Sequence, residues 1–190
     1  IIAESDLNDV RILRPPAQGG YGLDGQWSDD FHHAVHTLLT GERQGYYADY
    51  GDPEDLCHAL EHNFVLDGRF SSHRNRCHGA PASGLSGNRF VVCIQNHDQI
   101  GNRAAGERLS HLIPPPLQRL AASLLLLAPH LPLLFMGEEY GEEHPFQFFC
   151  SFEGKELIDA VREGRSKEFE AFHAGDVPVP DPQSPSTFAR

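Results

Sequence analysis

Short apolar runs alternate with amphipathic stretches along most of this chain. Ile1-Ile2-Ala3 is apolar at every position and stops at Glu4, as the end of a strand covered on both faces does. Leu23 to Trp27 predicts a second, weaker strand. Ser28 or Asp29 then caps a helix to about Thr40. Its apolar residues Phe31, Ala34, Val35, Leu38 and Leu39 recur at i, i+3, i+4, i+7 and i+8 and so share one face; Gly41 stops it. Asp52-Pro53-Glu54-Asp55 opens a further helix to about His62, with a capping acid, proline at the first helical position and acids in the first turn.

Residues 67–88 are rich in Gly and Ser and predict a long loop, a length that suits a functional or mobile segment. Phe90 to Ile94 is the strongest strand signal. It runs into Gln95-Asn96-His97-Asp98, and the polar run Gln99-Ile100-Gly101-Asn102 predicts a loop. Pro116 to Ala128 predicts a helix with Leu117, Leu120, Ala121, Leu124 and Leu125 on one face. Leu131 to Met136 predicts another buried strand, ending in Gly137-Glu138-Glu139. Leu157, Ile158, Val161, Phe169 and Phe172 predict a helical hairpin or kinked helix broken at Gly164. The Pro-rich tail after Gly175 is expected to be extended or disordered. Strands alternating with helices predict an α/β fold with a parallel sheet.

Composition narrows the function. A formal net charge of −12, with twelve histidines counted neutral, disfavours nucleic acid and anionic membranes, because both select a basic face. The single basic cluster, Arg69 to His78, reads better as a solvated loop. The most apolar run, Ala121 to Met136, contains Pro129, His130 and Pro132 and is too short and broken to span a bilayer. Cys57, Cys77, Cys93 and Cys150 form no CxxC pair, so reduced thiols in a cytoplasmic protein are expected. The chain begins inside an apolar run without a methionine, as a piece of a longer polypeptide would.

Every predicted strand ends in a polar cluster: Glu4-Ser5-Asp6, then Trp27-Ser28-Asp29-Asp30, then Asn96-His97-Asp98-Gln99, then Glu138-Glu139. In a (β/α)8 barrel or an open parallel sheet, strand C-termini share one edge and the active site lies there. Acids after strands also cap helices. That plainer role suits Asp29 and Asp30; it suits Asp98 poorly, since a loop is predicted there. Several acids, a histidine and an aromatic in one cleft suit glycoside hydrolysis, which needs a carboxylic acid for the leaving oxygen and a carboxylate as nucleophile or base. Trp27 fits a sugar-stacking face and a packing role equally well. His32 and His36 have the i, i+4 spacing of zinc ligands, but there is no HExxH and no evident third ligand; no metal and no cofactor is expected. No GxSxG occurs, and Cys93 lies inside an apolar strand, where thiols are inert.

Longer phrases carry a resemblance. Ala3-Glu4-Ser5-Asp6-Leu7-Asn8-Asp9 resembles the general-acid segment of the α-amylase clan, glycoside hydrolase family 13, and Gln95 to Arg103 resembles that clan's Asn-His-Asp segment. Gln26 to Ala34, Leu38 to Glu42, Gly45 to Gly51, Leu134 to Glu139 and Pro145 to Phe149 are similar to the maltooligosyltrehalose trehalohydrolases. The resemblance covers roughly residues 1 to 173.

It implies a partial (β/α)8 TIM barrel, about strands 5 to 8 with their helices, over residues 1–173, and a tail or linker over 174–190. It implies a retaining glycosidase that cleaves the α-1,4 bond beside the terminal trehalose of maltooligosyltrehalose, an α-glucan substrate. By motif, Glu4 is the general acid/base and Asp98 the transition-state stabiliser. Asp29, Asp30, Phe31, His32, His33, His97, Gln99, Ile100, Gly101 and Asn102 line the substrate site. The clan's nucleophile is an Asp on the strand before Glu4. No residue here matches it, so these 190 residues alone are expected to be inactive and to expose apolar strand edges. Cys150-Ser151-Phe152 departs from the polar continuation of the family. A glucan-branching activity shares the same carboxylates, and a non-catalytic sugar-binding module is the alternative from another class.

Overall fold

The computed structural model describes residues 1–172 and 179–189. In chain order its elements are β1 (Ile2–Ala3), β2 (Gly25–Trp27), α1 (Asp29–Thr40), α2 (Pro53–His62), β3 (Phe70–Ser71), β4 (Arg76–Cys77), β5 (Phe90–Cys93), α3 (His97–Gly101), α4 (Leu109–Leu112), α5 (Pro115–Leu127), β6 (Leu131–Leu133), α6 (Lys155–Phe172) and α7 (Pro185–Phe188), with short 3-10 turns between them. They group into two compact units, Ile1–Ile94 with Pro116–Leu134, and Gln95–Pro115 with Phe135–Arg190.

The first unit holds a four-stranded, all-parallel sheet in the order β1-β2-β5-β6. Ala3 pairs with Gln26, Trp27 with Val91, and Cys93 with Leu133, so the C-terminal ends of the strands fall along one edge. Each parallel step requires a crossover, and α1 packs on β5 and α2. All four residues of β5 are buried, which accounts for an apolar run with no alternation. The core gathers Val10, Leu13, Phe64, Ala82 and Phe90, with the Phe64 and Phe90 rings edge-on at 5.2 Å. Each fully buried ring of this kind stabilises by roughly 1.5–3 kcal/mol. β1 and β6 are the outer strands; Ile2 and Leu131 on them are exposed.

α1 ends as its sequence predicts, at Gly41 with φ 76°, a left-handed backbone that glycine adopts without strain. Ser28 stands at its N-cap, but the hydroxyl donates to the Asn63 carbonyl at 2.6 Å rather than capping the helix.

The second unit is built on α3, α4, α6 and α7. Arg162 donates to both carboxylate oxygens of Asp181 at 2.9 and 2.8 Å, and the Cys150 N–H donates to the Pro182 carbonyl at 2.8 Å.

Several expectations change. The polar run after β5 forms the short helix α3, not a loop, because the Asn96 side chain accepts from the N–H groups of Asp98 and Gln99 at 2.8 and 3.1 Å. Asp98 therefore does lie in a first helical turn. Residues 155–172 form one helix without a break at Gly164, since a helical glycine costs only about 1 kcal/mol. β2 begins at Gly25 and β6 ends at Leu133. Pro132 lies within β6, opposite Val92, a position that an outer strand tolerates. The expected loop over 67–88 contains the antiparallel pair β3 and β4. Part of the expected tail is the helical turn α7, capped by Ser184. The boundary anticipated at residues 173/174 lies outside the described residues.

Candidate active site

Glu4 directly follows β1 and is solvent-exposed. The segment after it is anchored rather than loose. Asp6 accepts from Arg74 Nη2 at 2.9 Å, and its carbonyl is 2.8 Å from His78 Nε2. Asn8 adopts φ 51°, a backbone that Asn tolerates, and turns its buried carboxamide inward. Its Nδ2 donates to Asp30 Oδ2 and to the Leu66 carbonyl, both at 3.0 Å. Gly79 packs against this turn: a Cβ there would stand 1.8 Å from the Leu66 carbonyl oxygen, so no larger residue fits.

Asp30 is the hub of the first unit's polar interior. Its carboxylate accepts from Asn8 Nδ2, the Tyr50 hydroxyl (2.8 Å) and the backbone N–H groups of Val65 and Leu66 (2.7 Å each). Burial pushes its pKa up against those four donors, and burial beside this carboxylate pushes the Tyr50 hydroxyl well above its ordinary value.

A polar cleft opens next to this hub. It encloses about 340 Å³, open solvent included, and Asp6, Asp29, His33, Tyr46, Asp49, His73, Arg74 and His78 are among its lining residues. His33 stacks on Tyr46, with ring centroids 4.7 Å apart, and meets Tyr50 edge-on at 5.0 Å. Burial, with the nearby His36, Arg74 and His73, lowers the His33 pKa to about 3, so its imidazole is neutral near pH 7 and both accepts and donates. Asp49 gathers the β3–β4 turn: it accepts from the Ser71 hydroxyl, from Ser72 N and Oγ at 2.6 Å each, and from His73 N at 3.3 Å. Burial alone would raise its pKa, but these donors bring it below the ordinary value. Carboxylates, a guanidinium, the neutral His33 imidazole and an aromatic face are the groups that bind sugar hydroxyls and ring faces.

Of the residues singled out by sequence, Asp29, Asp30 and His33 line this cleft, Asp30 being itself buried, while Phe31 and His32 are buried and not among its lining residues. Phe31 and His32 cannot meet a ligand in this conformation. Burial, then the neighbouring His33 and His36, holds the His32 pKa well below its usual value. His36 is 2.7 Å from Glu42 and stacks on Tyr47 at 4.4 Å. Among the described residues, no group of three or more His, Cys, Asp or Glu side chains is arranged to hold a metal ion. Sequence reasoning missed Tyr46, Asp49, Tyr50, His73, Arg74 and His78 as site residues. Their signal was the dense Tyr/Asp run 46–50 and the long loop after α2, neither of which specifies a side-chain role.

The second unit carries Asp98 and His97 on α3. Both are about half exposed, with His97 Nε2 3.5 Å from Asp98 Oδ1. Gln99 is partly buried, Ile100 and Gly101 are buried, and Asn102 is exposed. Arg165 on α6 donates to the Gly101 carbonyl at 2.7 Å and lies 4.2 Å over the Phe148 ring. α3 thus buries Ile100 and is held at its C-terminal end by Arg165, while the Asp98 side chain stays about half exposed. Among the described residues no helix is long and apolar enough to cross a membrane.

No family model matches the chain. Individual proteins do. The malto-oligosyltrehalose trehalohydrolase of Rhizobium sp. (strain M-11) is 53% identical over 192 residues, and that of Saccharolobus solfataricus is 50% identical over 188 residues; these alignments cover 100% and 99% of this chain. A crystal structure of a putative α-amylase from Salmonella typhimurium superposes with a TM-score of 0.88 at 44% identity, over 99% of this chain. In each case the chain spans about a third of the other protein's length, 32% for all three. Over this segment the chain is similar to the trehalohydrolases, and its parallel sheet with helices is an α/β arrangement that superposes on the α-amylase neighbour.

Proposed function

We propose that this chain belongs to the catalytic (β/α)8 barrel of an enzyme that hydrolyses the α-1,4 bond beside the terminal trehalose of maltooligosyltrehalose. The observation that carries this reading is the position of Glu4. It is a solvent-exposed carboxyl directly after a parallel strand, two residues before the cleft-lining Asp6, in a segment about half identical to trehalohydrolases. Four adjacent parallel strands with exposed Ile2 and Leu131 on the outer two support a sheet that continues around a barrel, since bare apolar edges invite pairing.

In this reading Glu4 protonates the glycosidic oxygen as the bond breaks, then deprotonates the water that releases the glycosyl intermediate. Asp98 offers negative charge to the oxocarbenium-like transition state. The acid stands on the leaving-group side, so the neighbouring cleft takes the departing trehalose. Asp29, Asp49 and Arg74 hydrogen-bond its hydroxyls, and Tyr46 presents a ring face. Asp30 lines the cleft as a buried acceptor, and Phe31 and His32 shape the wall behind His33. His97, Gln99 and Asn102 contact the sugar on the Asp98 side, with Ile100 and Gly101 setting the backbone between them. A retaining mechanism also needs a nucleophilic carboxylate; we assign none among these residues. All four cysteines are free thiols, which supports a reducing, cytoplasmic setting.

Product analysis of the full-length protein on maltooligosyltrehalose tests the reading. Free trehalose and a shortened maltooligosaccharide are expected. Branched or transferred glucan without trehalose would replace it with a branching activity.

A further inference from the structure

The function proposed above leaves one sequence cluster without a role: Glu138, after β6. Within the second unit its side chain is well placed to act on the segment that carries Asp98. Gln95, the residue after Ile94, is buried, and both ends of its carboxamide are engaged. Its Oε1 accepts from the Leu109 N–H at 2.6 Å, and its Nε2 donates to Glu138 Oε1 at 2.8 Å. The next residue is Asn96, also buried, whose Oδ1 accepts from the N–H groups of Asp98 and Gln99. The orientation of α3, and with it the Asp98 carboxylate, therefore depends on two consecutive buried carboxamides, and Glu138 fixes the first.

Glu138 is itself tightly held. Its Oε2 accepts from the Phe135 N–H at 3.1 Å, closing the turn after β6. The same turn is fastened by buried Arg108, which donates to the carbonyls of Met136 (2.9 Å) and His144 (2.7 Å) and lies 5.3 Å over the Phe135 ring. The charged groups that face Glu138 are Arg108 and Glu139. A half-buried carboxyl is a demanding choice for a turn that backbone bonds could close alone. Its second oxygen, spent on Gln95, is what a plain turn does not need.

We propose that Glu138 is a positioning residue for Asp98, orienting α3 through the Gln95 carboxamide. This rests on the role given to Asp98 above. Burial raises the Glu138 carboxyl to about 7, with Gln95, Phe135 and Arg108 pulling the other way, so the clamp changes charge in the neutral range.

The test uses the full-length protein with Glu138→Ala and Glu138→Gln, read by amide hydrogen exchange and by kinetics. Exchange at the Asp98 and Gln99 amides is expected to rise by about tenfold or more in E138A, with E138Q close to wild type because its amide oxygen still accepts from Gln95. On maltooligosyltrehalose, E138A is expected to lose about tenfold or more in kcat with KM little changed. E138Q is expected to recover most of that loss and to drop the titration near pH 7 from the kcat profile. Unchanged exchange at Asp98 and Gln99 in a folded E138A would overturn the proposal, and so would a lowered melting temperature with kcat unaltered. If the wild-type protein releases no trehalose, the substrate reading fails on its own, while the exchange data still decide whether Glu138 holds α3.

Discussion

Asn8 and Asp30 are joined by a 3.0 Å hydrogen bond between two buried side chains. This contact ties the segment after Glu4 to the first turn of α1. It makes Asp30, which lines the cleft beside Asp29 and is itself buried, an internal brace. Its four donors come from three places in the chain: Asn8, Tyr50 and the backbone of Val65 and Leu66.

Removing that acceptor strands several buried donors at once. Asp30→Ala is expected to destabilise the protein by about 3–5 kcal/mol. Asp30→Asn, which keeps one oxygen, is expected to lose less. Urea unfolding of the two variants measures this directly, and an Asp30→Ala protein within about 0.5 kcal/mol of wild type would show that the hub is not a brace.

The cleft wall formed by the β3–β4 turn depends on Asp49, which accepts from Ser71, Ser72 and His73. Asp49→Ala is expected to speed proteolysis within residues 69–78 and to raise KM for maltooligosyltrehalose by about tenfold, with a smaller change in kcat. Limited proteolysis and steady-state kinetics on the same preparation separate loosening of the turn from loss of a sugar contact.

Much of this was legible beforehand. The α/β class, the parallel order of the strands, and α1 with its Gly41 stop follow from patterns local to a few residues. The sequence around Asp98 predicts a loop because Gly101 and the polar run 99–102 hide the helix. The Asn96 cap with Gln99 three residues on was the available signal. The role of Asp30 was not legible, because an acid after a strand looks the same whether it faces solvent or four buried donors. Those donors are up to 36 residues away in sequence, and only the tertiary fold brings them together. His73 and Arg74 were hidden for the same reason: nothing local in a Gly/Ser-rich loop says that its turn folds back onto Asp49 and Asp6.

Two titrating groups give stability opposite pH dependences. The Glu138 pKa rises from 4.5 to about 7 on folding. The folded state therefore holds an extra proton between those values, and this contribution is complete below pH 4.5 and lost as pH climbs through 7. Its size is at most about 3 kcal/mol. His33 falls from 6.5 to about 3, so its neutral form favours the fold above pH 6.5, and that advantage fades as pH drops toward 3. Glu138→Gln is expected to flatten the stability slope between pH 5 and 7 in the direction of greater relative stability at pH 8. His33→Gln is expected to flatten the acid side. Denaturant midpoints across pH 4 to 8 check both signs.

In the function proposed above, Glu4 and Asp98 are each required for the release of trehalose. The most direct measurement is the trehalose release rate from maltooligosyltrehalose by the full-length protein, by Glu4→Gln and by Asp98→Asn, with folding checked by circular dichroism. Glu4 is exposed and the Asp98 side chain is 48% exposed, so neither change is expected to disturb the fold. The wild type is expected to release trehalose and each variant to lose about a thousandfold or more in kcat. A folded Glu4→Gln or Asp98→Asn protein that releases trehalose within about tenfold of the wild-type rate would contradict the assignment.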